Sequence, residues 1–416
     1  MTLVKTSILS FIATVIKIIA GLVINKAIAA YIGPAGLALV GQFQNFSQLL
    51  MTAAQGAINN GVTKYAAEYG KDHERTPILF STAAKISFYS SLVVSVIIIL
   101  FSKYASLQVL KSENYSYIFV IFGITIILFV INNLLLSILN GLKEIKAWVM
   151  INIIQSFYSL VFTSLLIIFL GIDGALIALV TNQSVILVVV IWMLRNNPTF
   201  KLENFKREFD KSEAKKLGRF ALMAITSAAT VPISHMLVRN YIGESLSWED
   251  AGYWQAIWYI STTYLMVVTT SLGIYYLPRL SETTDKSEVR KELIDGYKII
   301  MPAVIVISFI IYLLKDFIIW LLFTEEFFQM RELFLWQLVG DVIKIASWML
   351  ASIMVAKAMT NAFILTEIVF SLSFVLLSIF FLERYGLVGM SYSFACNYSL
   401  YLFSMIYVTK DEWSGF

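Results

Sequence analysis

FIATVIKIIAGLVINKAIAAYIGPAG, residues 11–36, is long enough as a helix to cross the roughly 30 Å of hydrocarbon in a bilayer. Yet it carries Lys17 and Lys26 with no acidic residue beside them. A lysine in hydrocarbon costs at least ~2.5 kcal/mol, so it reaches an interface or faces water or a ligand. Nine positions separate the two lysines, which at about 100° per residue sets them on opposite faces of one helix. They cannot both serve one cavity at one depth. Lys17 lies near the start of the span, within reach of the N-terminal interface by snorkelling. Lys26 sits about 9 Å before the helix end at Ile32, at roughly 1.5 Å per residue, and is the better candidate for a cation facing a central cavity.

The rest of the chain repeats the theme. Of 416 residues, 59% are hydrophobic and 14% charged, with a mean hydropathy of +0.78, too apolar for a soluble globular protein. An all-α polytopic membrane protein is expected. A single cysteine, Cys396, excludes an intramolecular disulfide, and His73 and His235 are too few for a histidine metal site. No phosphate-binding G-x-x-x-x-G-K-[ST] loop is present, nor a carboxylate pair or catalytic triad, so neither ATP hydrolysis nor enzyme chemistry is expected. No cofactor is expected, and the net charge of +4 is not a nucleic-acid signal, because the loops that hold the charge matter more than its sum. Ala27-Ile28-Ala29 imitates a signal-peptidase site, but the apolar run before it is interrupted by Lys17 and too long, so the first segment is expected to be retained.

Apolar segments of spanning length fall at 8–32, 37–63, 78–101, 117–140, 147–170 and 174–194, then at 220–242, 252–278, 297–323, 332–356, 361–382 and 386–409. These are twelve transmembrane helices, six plus six. The expected organisation is an N-terminal six-helix bundle (1–195), a basic cytoplasmic linker (196–219) and a C-terminal six-helix bundle (220–416). With the N-terminus inside, 21 of the 31 basic residues fall on the cytoplasmic side and 6 outside, so both termini are expected in the cytoplasm. The halves echo each other. Tyr31-Ile32-Gly33 with Ala35-Gly36 matches Tyr241-Ile242-Gly243 with Ala251-Gly252, and Gly61-Val62-Thr63-Lys64-Tyr65 closes span two much as Tyr276-Leu277-Pro278-Arg279-Leu280 closes span eight. An even helix number per half makes the repeats parallel, with a substrate site between them.

The ionisable residues inside the spans carry the chemistry. The first half offers Lys17, Lys26 and Lys85; the second offers His235 and Arg239 at i, i+4, then Asp341, Lys344 and Glu367. Aligning the repeats puts Arg239 within one turn of the match to Lys26, so an anion between the halves would meet a cation from each. Structural readings stand beside this one. Asp341 and Lys344 are i, i+3 neighbours able to neutralise each other, and Lys357 can pair with Glu367. Lys85 and Lys17 can snorkel. Asn45, Gln48, Gln55 and Asn59 keep to one face of span two, either as glue between helices or as sugar and phosphate contacts. Trp254 and Trp258 read as an aromatic belt or as a sugar platform. Pro232 interrupts span seven, as a static kink or a moving one.

Gly33-Pro34-Ala35-Gly36-Leu37, Gly61-Val62-Thr63-Lys64-Tyr65, Leu277-Pro278-Arg279-Leu280-Ser281 and Trp336-Gln337-Leu338-Val339-Gly340-Asp341 with Lys344 resemble the Wzx-type flippases of the multidrug/oligosaccharidyl-lipid/polysaccharide exporter superfamily, those for enterobacterial common antigen and O-antigen among them. The resemblance runs along nearly the whole chain. It implies two bundles in a V around a central cationic cavity in the bacterial inner membrane. It also implies export of an undecaprenyl-pyrophosphate-linked oligosaccharide to the periplasmic leaflet, with coupling to an ion gradient. On that reading Lys26 and Arg239 hold the pyrophosphate, helped by Lys17, Lys85 or Lys344. Asn45, Gln55 and Asn59 line the sugar path, and Asp341, Glu367 and His235 are candidates for ion coupling. Membrane lipids, a polysaccharide polymerase and a chain-length regulator are the implied partners. A multidrug cation antiporter would share this fold, but it would want acidic groups in the spans of the first half, which has none.

Overall fold

The structure is a computed structural model that describes residues 3–71, 73–272, 276–283 and 285–414. Its secondary structure is helical, with no strand among the described residues. The bilayer dictates this outcome, because a helix satisfies every backbone amide and carbonyl within its own segment where no water can. The helices are α1 (Leu3–Ala54), α2 (Asn59–Tyr69), α3 (Arg75–Leu100), α4 (Ser102–Leu110), α5 (Ser116–Gly141), α6 (Ile145–Leu194) and α7 (Lys211–Ser245). There follow α8 (Trp248–Ser271), α9 (Leu277–Glu282), α10 (Lys286–Leu313), α11 (Lys315–Leu322), α12 (Phe334–Ala356), α13 (Thr360–Tyr385) and α14 (Gly389–Trp413). Among the described residues seven helical stretches are long and apolar enough to cross a membrane, and the longest run to 43, 50 and 54 residues. The protein is a multi-pass membrane protein. Residues 273–275, inside the span expected at 252–278, lie outside the described residues.

The joints of the long helices fall at glycines. Gly33 breaks α1 with φ 75° and ψ −175°, just ahead of Pro34, and Gly171 breaks α6 with φ 58° and ψ −129°. Both angles lie where a Cβ is penalised. The expected span at 37–63 is shorter than its hydropathy suggests. Its helix ends at Ala54, Gly56 and Ala57 take positive φ (66° and 52°), and a new helix begins at Asn59. The polar face inferred from positions 45 to 59 is therefore not one continuous face, since Gln55 and Asn59 flank the turn.

Three features recur at a fixed spacing of 215 positions. Lys143 and Ala358, both non-glycine with positive φ (57° and 54°), end the helices before α6 and α13. Gly171 and Gly386 share positive φ (58° and 61°), and Gly174 and Gly389 each lie against the carbonyl oxygen eight residues back, of Leu166 and Phe381. A Cβ at either of these last two positions would collide with that oxygen. Gly174→Ala and Gly389→Ala are therefore expected to cost about 1–3 kcal/mol each by overpacking, seen as a lowered Tm in detergent. Gly218→Ala is the control, because no atom lies within 4 Å of its would-be Cβ and alanine favours helix. An unchanged Tm for all three would remove the claim that these joints are packed shut.

The chain divides into two compact units, residues 1–32 with 39–232, and residues 33–38 with 233–416. In the first, α5 lies among α2, α3 and α6, and Phe43 meets Phe119 edge-on at 5.4 Å. Ile58, Val62, Leu79, Leu134 and Ile138 form an apolar cluster near the loop end, joined by Leu217. In the second, α12 and α14 pack closely enough that a Cβ on Gly340 would meet the Phe394 ring at 2.4–2.7 Å, and Gly252 admits the backbone of Pro34. α12 is mostly buried along its length, which puts its charged residues inside the unit.

Candidate functional site

The second unit gathers the charged residues of α7 and α12 around one aromatic cluster. On α7, His235 and Arg239 are both buried, Arg239 to 1% exposure. The Arg239 guanidinium donates to the Gln255 amide oxygen at 2.5 Å and lies 5.5 Å from the centre of the Trp254 ring. On α12, the Lys344 ammonium, 6% exposed, stands among four rings: Trp348 at 4.9 Å, Trp258 at 5.0 Å, Tyr398 at 5.4 Å and Phe394 at 5.8 Å. Trp258 is the shared wall, edge-on to His235 at 4.2 Å and to Phe394 at 5.3 Å. Faces of aromatic rings attract cations, by ~0.5–2 kcal/mol per good contact.

Asp341 is wholly buried one turn from Lys344, yet no ion pair joins them among the described residues. Its carboxylate accepts from the Tyr264 hydroxyl at 3.0 Å, which in turn meets Ser308 at 3.1 Å. Gln337 donates to Ser261 at 3.2 Å in the same interior. The two charges still act on each other across one turn, but each takes its close contacts elsewhere, the acid in a hydroxyl cradle and the base in a ring cage. Lys357 departs from its expected pairing too, since it donates to the Thr283 carbonyl rather than to the half-buried Glu367. Trp254 is fully buried, and Trp258 packs inward, so this pair is neither belt nor exposed platform.

The candidates in the first unit are not gathered in this way. Lys17 is exposed and Lys26 half-buried on the first part of α1. Half-buried Lys85 on α3 donates to the Arg207 carbonyl at 2.8 Å, so its contact is with the connection. Asn59 donates to Gln55 at 2.5 Å across the turn between α1 and α2, while Asn45 stands half-buried on α1.

The family described as "Polysaccharide biosynthesis protein" matches residues 3–284. The lipid III flippases of Escherichia coli (strain K12) and Shigella flexneri are each 30% identical over 404 residues, 96% of this chain and 96% of theirs. The chain belongs to the polysaccharide biosynthesis protein family. Solved structures agree on its fold. A multidrug resistance MATE family transporter of the MOP superfamily, inward-facing, superposes with a TM-score of 0.78 at 15% identity, over 96% of this chain and 94% of that one. Lipid II flippase MurJ, inward closed, does so with 0.71 at 13% identity, over 98% and 87%.

This member of the polysaccharide biosynthesis family also holds a cluster that its sequence hid inside a basic stretch. Glu213, at the start of α7, is 1% exposed and takes hydrogen bonds from Tyr69 at 3.0 Å and Lys216 at 2.8 Å, with Arg75 at 3.4 Å. Its own amide donates to Asp210, whose amide reaches Thr82. Ser81 and Lys85 both donate to the Arg207 carbonyl. The connection is therefore pinned to α2 and α3 within the first unit, and is not a loose tether. The Glu213 carboxylate, then the Tyr69 hydroxyl, raise the pKa of Lys216 above its ordinary value. A raised ammonium stabilises the fold below its ordinary pKa of 10.5 and loses that contribution only as pH climbs through the raised value, so the cluster holds across neutral pH. Glu213→Ala leaves Tyr69 and two cations without their acceptor and is expected to cost about 1–3 kcal/mol. Trypsin should then cut faster at Lys201, Lys206 and Arg207, and an unchanged rate would mean the pin holds nothing.

Proposed function

We propose that the chain is a flippase for undecaprenyl-pyrophosphate-linked oligosaccharide repeat units, moving them from the cytoplasmic to the periplasmic leaflet of the bacterial inner membrane. The observation that carries this is a buried lysine caged by rings and in close contact with no carboxylate, in a chain related along 96% of its length to lipid III flippases. An ammonium neutralised by a carboxylate has little left for a ligand. One held by rings keeps its charge for a pyrophosphate. Arg239 adds a planar fork of donors suited to phosphate, and Lys26 supplies the cation of the first half. Lys17, Lys85, Asn45, Gln55 and Asn59 complete the path, with the sugar being that of O-antigen or common antigen.

The architecture that goes with this reading is twelve crossings in a 6+6 repeat around a cationic cavity, bundles at 1–195 and 220–416, both termini cytoplasmic. Several observations support it. The three longest apolar stretches, of 43, 50 and 54 residues, have each more than twice the ~20 residues a crossing needs, and α7 and α8 add to the seven stretches. The spacing of 215 positions between matching joints favours a parallel repeat. Transport then proceeds by alternating access coupled to an ion gradient, with Asp341, Glu367 and His235 as the titratable groups nearest to hand. The multidrug antiporter reading finds less support, because a cation substrate would be repelled by Lys344 and Arg239.

Complementation tests the proposal. In cells lacking their own lipid III or O-antigen flippase, expression of this chain is expected to restore surface glycan and clear the accumulated lipid-linked intermediates. Intermediates that persist at normal membrane levels of the protein, across both strains, would count against the flippase reading.

A further inference from the structure

The first unit contains two neighbouring cavities lined by the same two segments. One, of about 610 Å³, is polar and lined in part by Thr76, Asn196, Asn197, Thr199 and Asn204, with the Lys71–Glu144 ion pair at its edge. The other, of about 340 Å³, is mainly apolar and lined in part by Phe88, Ile131, Leu134, Leu135 and Leu202, with Ser87, Ser91 and Arg195 as its polar groups. A single helix serves both. α3 gives Thr76, Pro77 and Phe80 to the polar cavity and Ala84, Ser87, Phe88 and Ser91, about one turn further on, to the apolar one. The connection does the same, with Asn196, Asn197, Thr199 and Asn204 toward one and Arg195, Phe200, Leu202 and Phe205 toward the other. Phe80 stacks on Phe205 at 5.9 Å where the two meet.

A polar chamber and an apolar one, the latter carrying Arg195 next in sequence to Asn196 and Asn197 of the former, have the order of an amphiphile: hydroxylated head, phosphate, hydrocarbon tail. Both volumes fall within the ~300–1,000 Å³ of small-molecule sites. Arg195 lies against the Trp192 ring at 4.7 Å, and no ion pair engages it among the described residues. We infer that this pair of cavities is a capture site for the lipid-linked oligosaccharide, taking its first sugar among the asparagines, its phosphates at Arg195 and its first isoprene units between α3, α5 and the connection. The inference rests on the flippase reading and adds a second station to it, apart from the caged lysine. A phospholipid would fill the apolar cavity but would leave most of the polar one without use. The pinning of the connection by Glu213, Lys85 and Ser81 fixes the common lining of the two cavities in place, as a preformed site requires.

The experiment uses the full chain in nanodiscs and a monosaccharide-diphosphate polyprenol carrying a diazirine in its second isoprene unit, with labelled peptides located by mass spectrometry. Label is expected at residues 84–91 and 194–205, competed by undecaprenyl pyrophosphate but not by phosphatidylglycerol. Leu202→Glu and Arg195→Gln, both at exposed positions and so compatible with folding, should each lower it about tenfold. Label confined to other segments, from a protein that complements export, overturns the capture site and leaves the flippase reading standing. Equal competition by phosphatidylglycerol also overturns it, as a groove for bulk lipid. Absence of label together with absence of complementation sinks both.

Discussion

Lys344→Met is expected to reduce surface glycan at least about tenfold, with lipid-linked intermediates accumulating and the protein reaching the membrane at its usual level. Methionine keeps nearly the length and flexibility of the lysine stem and makes favourable sulfur contacts with rings. The cage of Trp258, Trp348, Phe394 and Tyr398 should therefore close on it with little loss of packing. What disappears is the charge alone. Asp341 keeps its acceptor role toward Tyr264, so the variant does not strip that acid of its hydrogen bond. A purely structural lysine would leave export intact, while loss of its charge beside buried Asp341 lowers stability, as removing one partner of a buried charge pair does. Export, and not stability, therefore separates the two readings. Lost export at a normal membrane level is the signature of a cation kept for its ligand, whereas full export would reduce Lys344 to a packing residue.

The sequence made the framework legible because hydrocarbon enforces it. Most expected spans from 78 onward match a helix to within a few residues, though 297–323 is broken at Leu314 between α10 and α11 and 252–278 runs past the end of α8 at Ser271, and the breaks fell where Gly33 and Gly171 interrupt apolar runs. The turn at 55–58 escaped, because Gly56 is a lone glycine in a helical pattern and Ala57 takes its positive φ against its own propensity. The G-x-x-G pairs at 171–174 and 386–389 were available as a repeat signal, but their meaning lies in a carbonyl eight residues back that only coordinates reveal. At the candidate site, helical periodicity brought Asp341 to Lys344, and the shared end of consecutive spans brought Lys357 to Glu367. Neither could weigh that local pairing against partners from other helices, and Tyr264 on α8, Thr283 after α9 and the rings of α8 and α14 prevailed. Glu213 stayed hidden for a related reason. Within a run rich in lysine and arginine it reads as a solvated charge, and only Tyr69 and Arg75, some 140 positions earlier, bury it.

Arg239 invites the complementary experiment, in which shape is separated from charge. Arg239→Lys is expected to keep the protein in the membrane but to lower export about tenfold or more, because an ammonium cannot span both Gln255 and a phosphate as a planar fork does. Arg239→Ala should go further. It empties a site that is 1% exposed beside Trp254, so a stability loss of about 2–5 kcal/mol from the cavity is expected in addition to the loss of export. Arg239→Met separates the two effects by filling that space without a charge. If Met restores the thermal stability lost in Ala but not export, the guanidinium acts on the substrate. If Met restores both, Arg239 is a packing residue, and the anion must be held by Lys344 and the cations of the first half. The double variant with Lys344→Met decides how far they act together: two groups on one pyrophosphate give a loss smaller than the sum of their separate effects, whereas independent roles add.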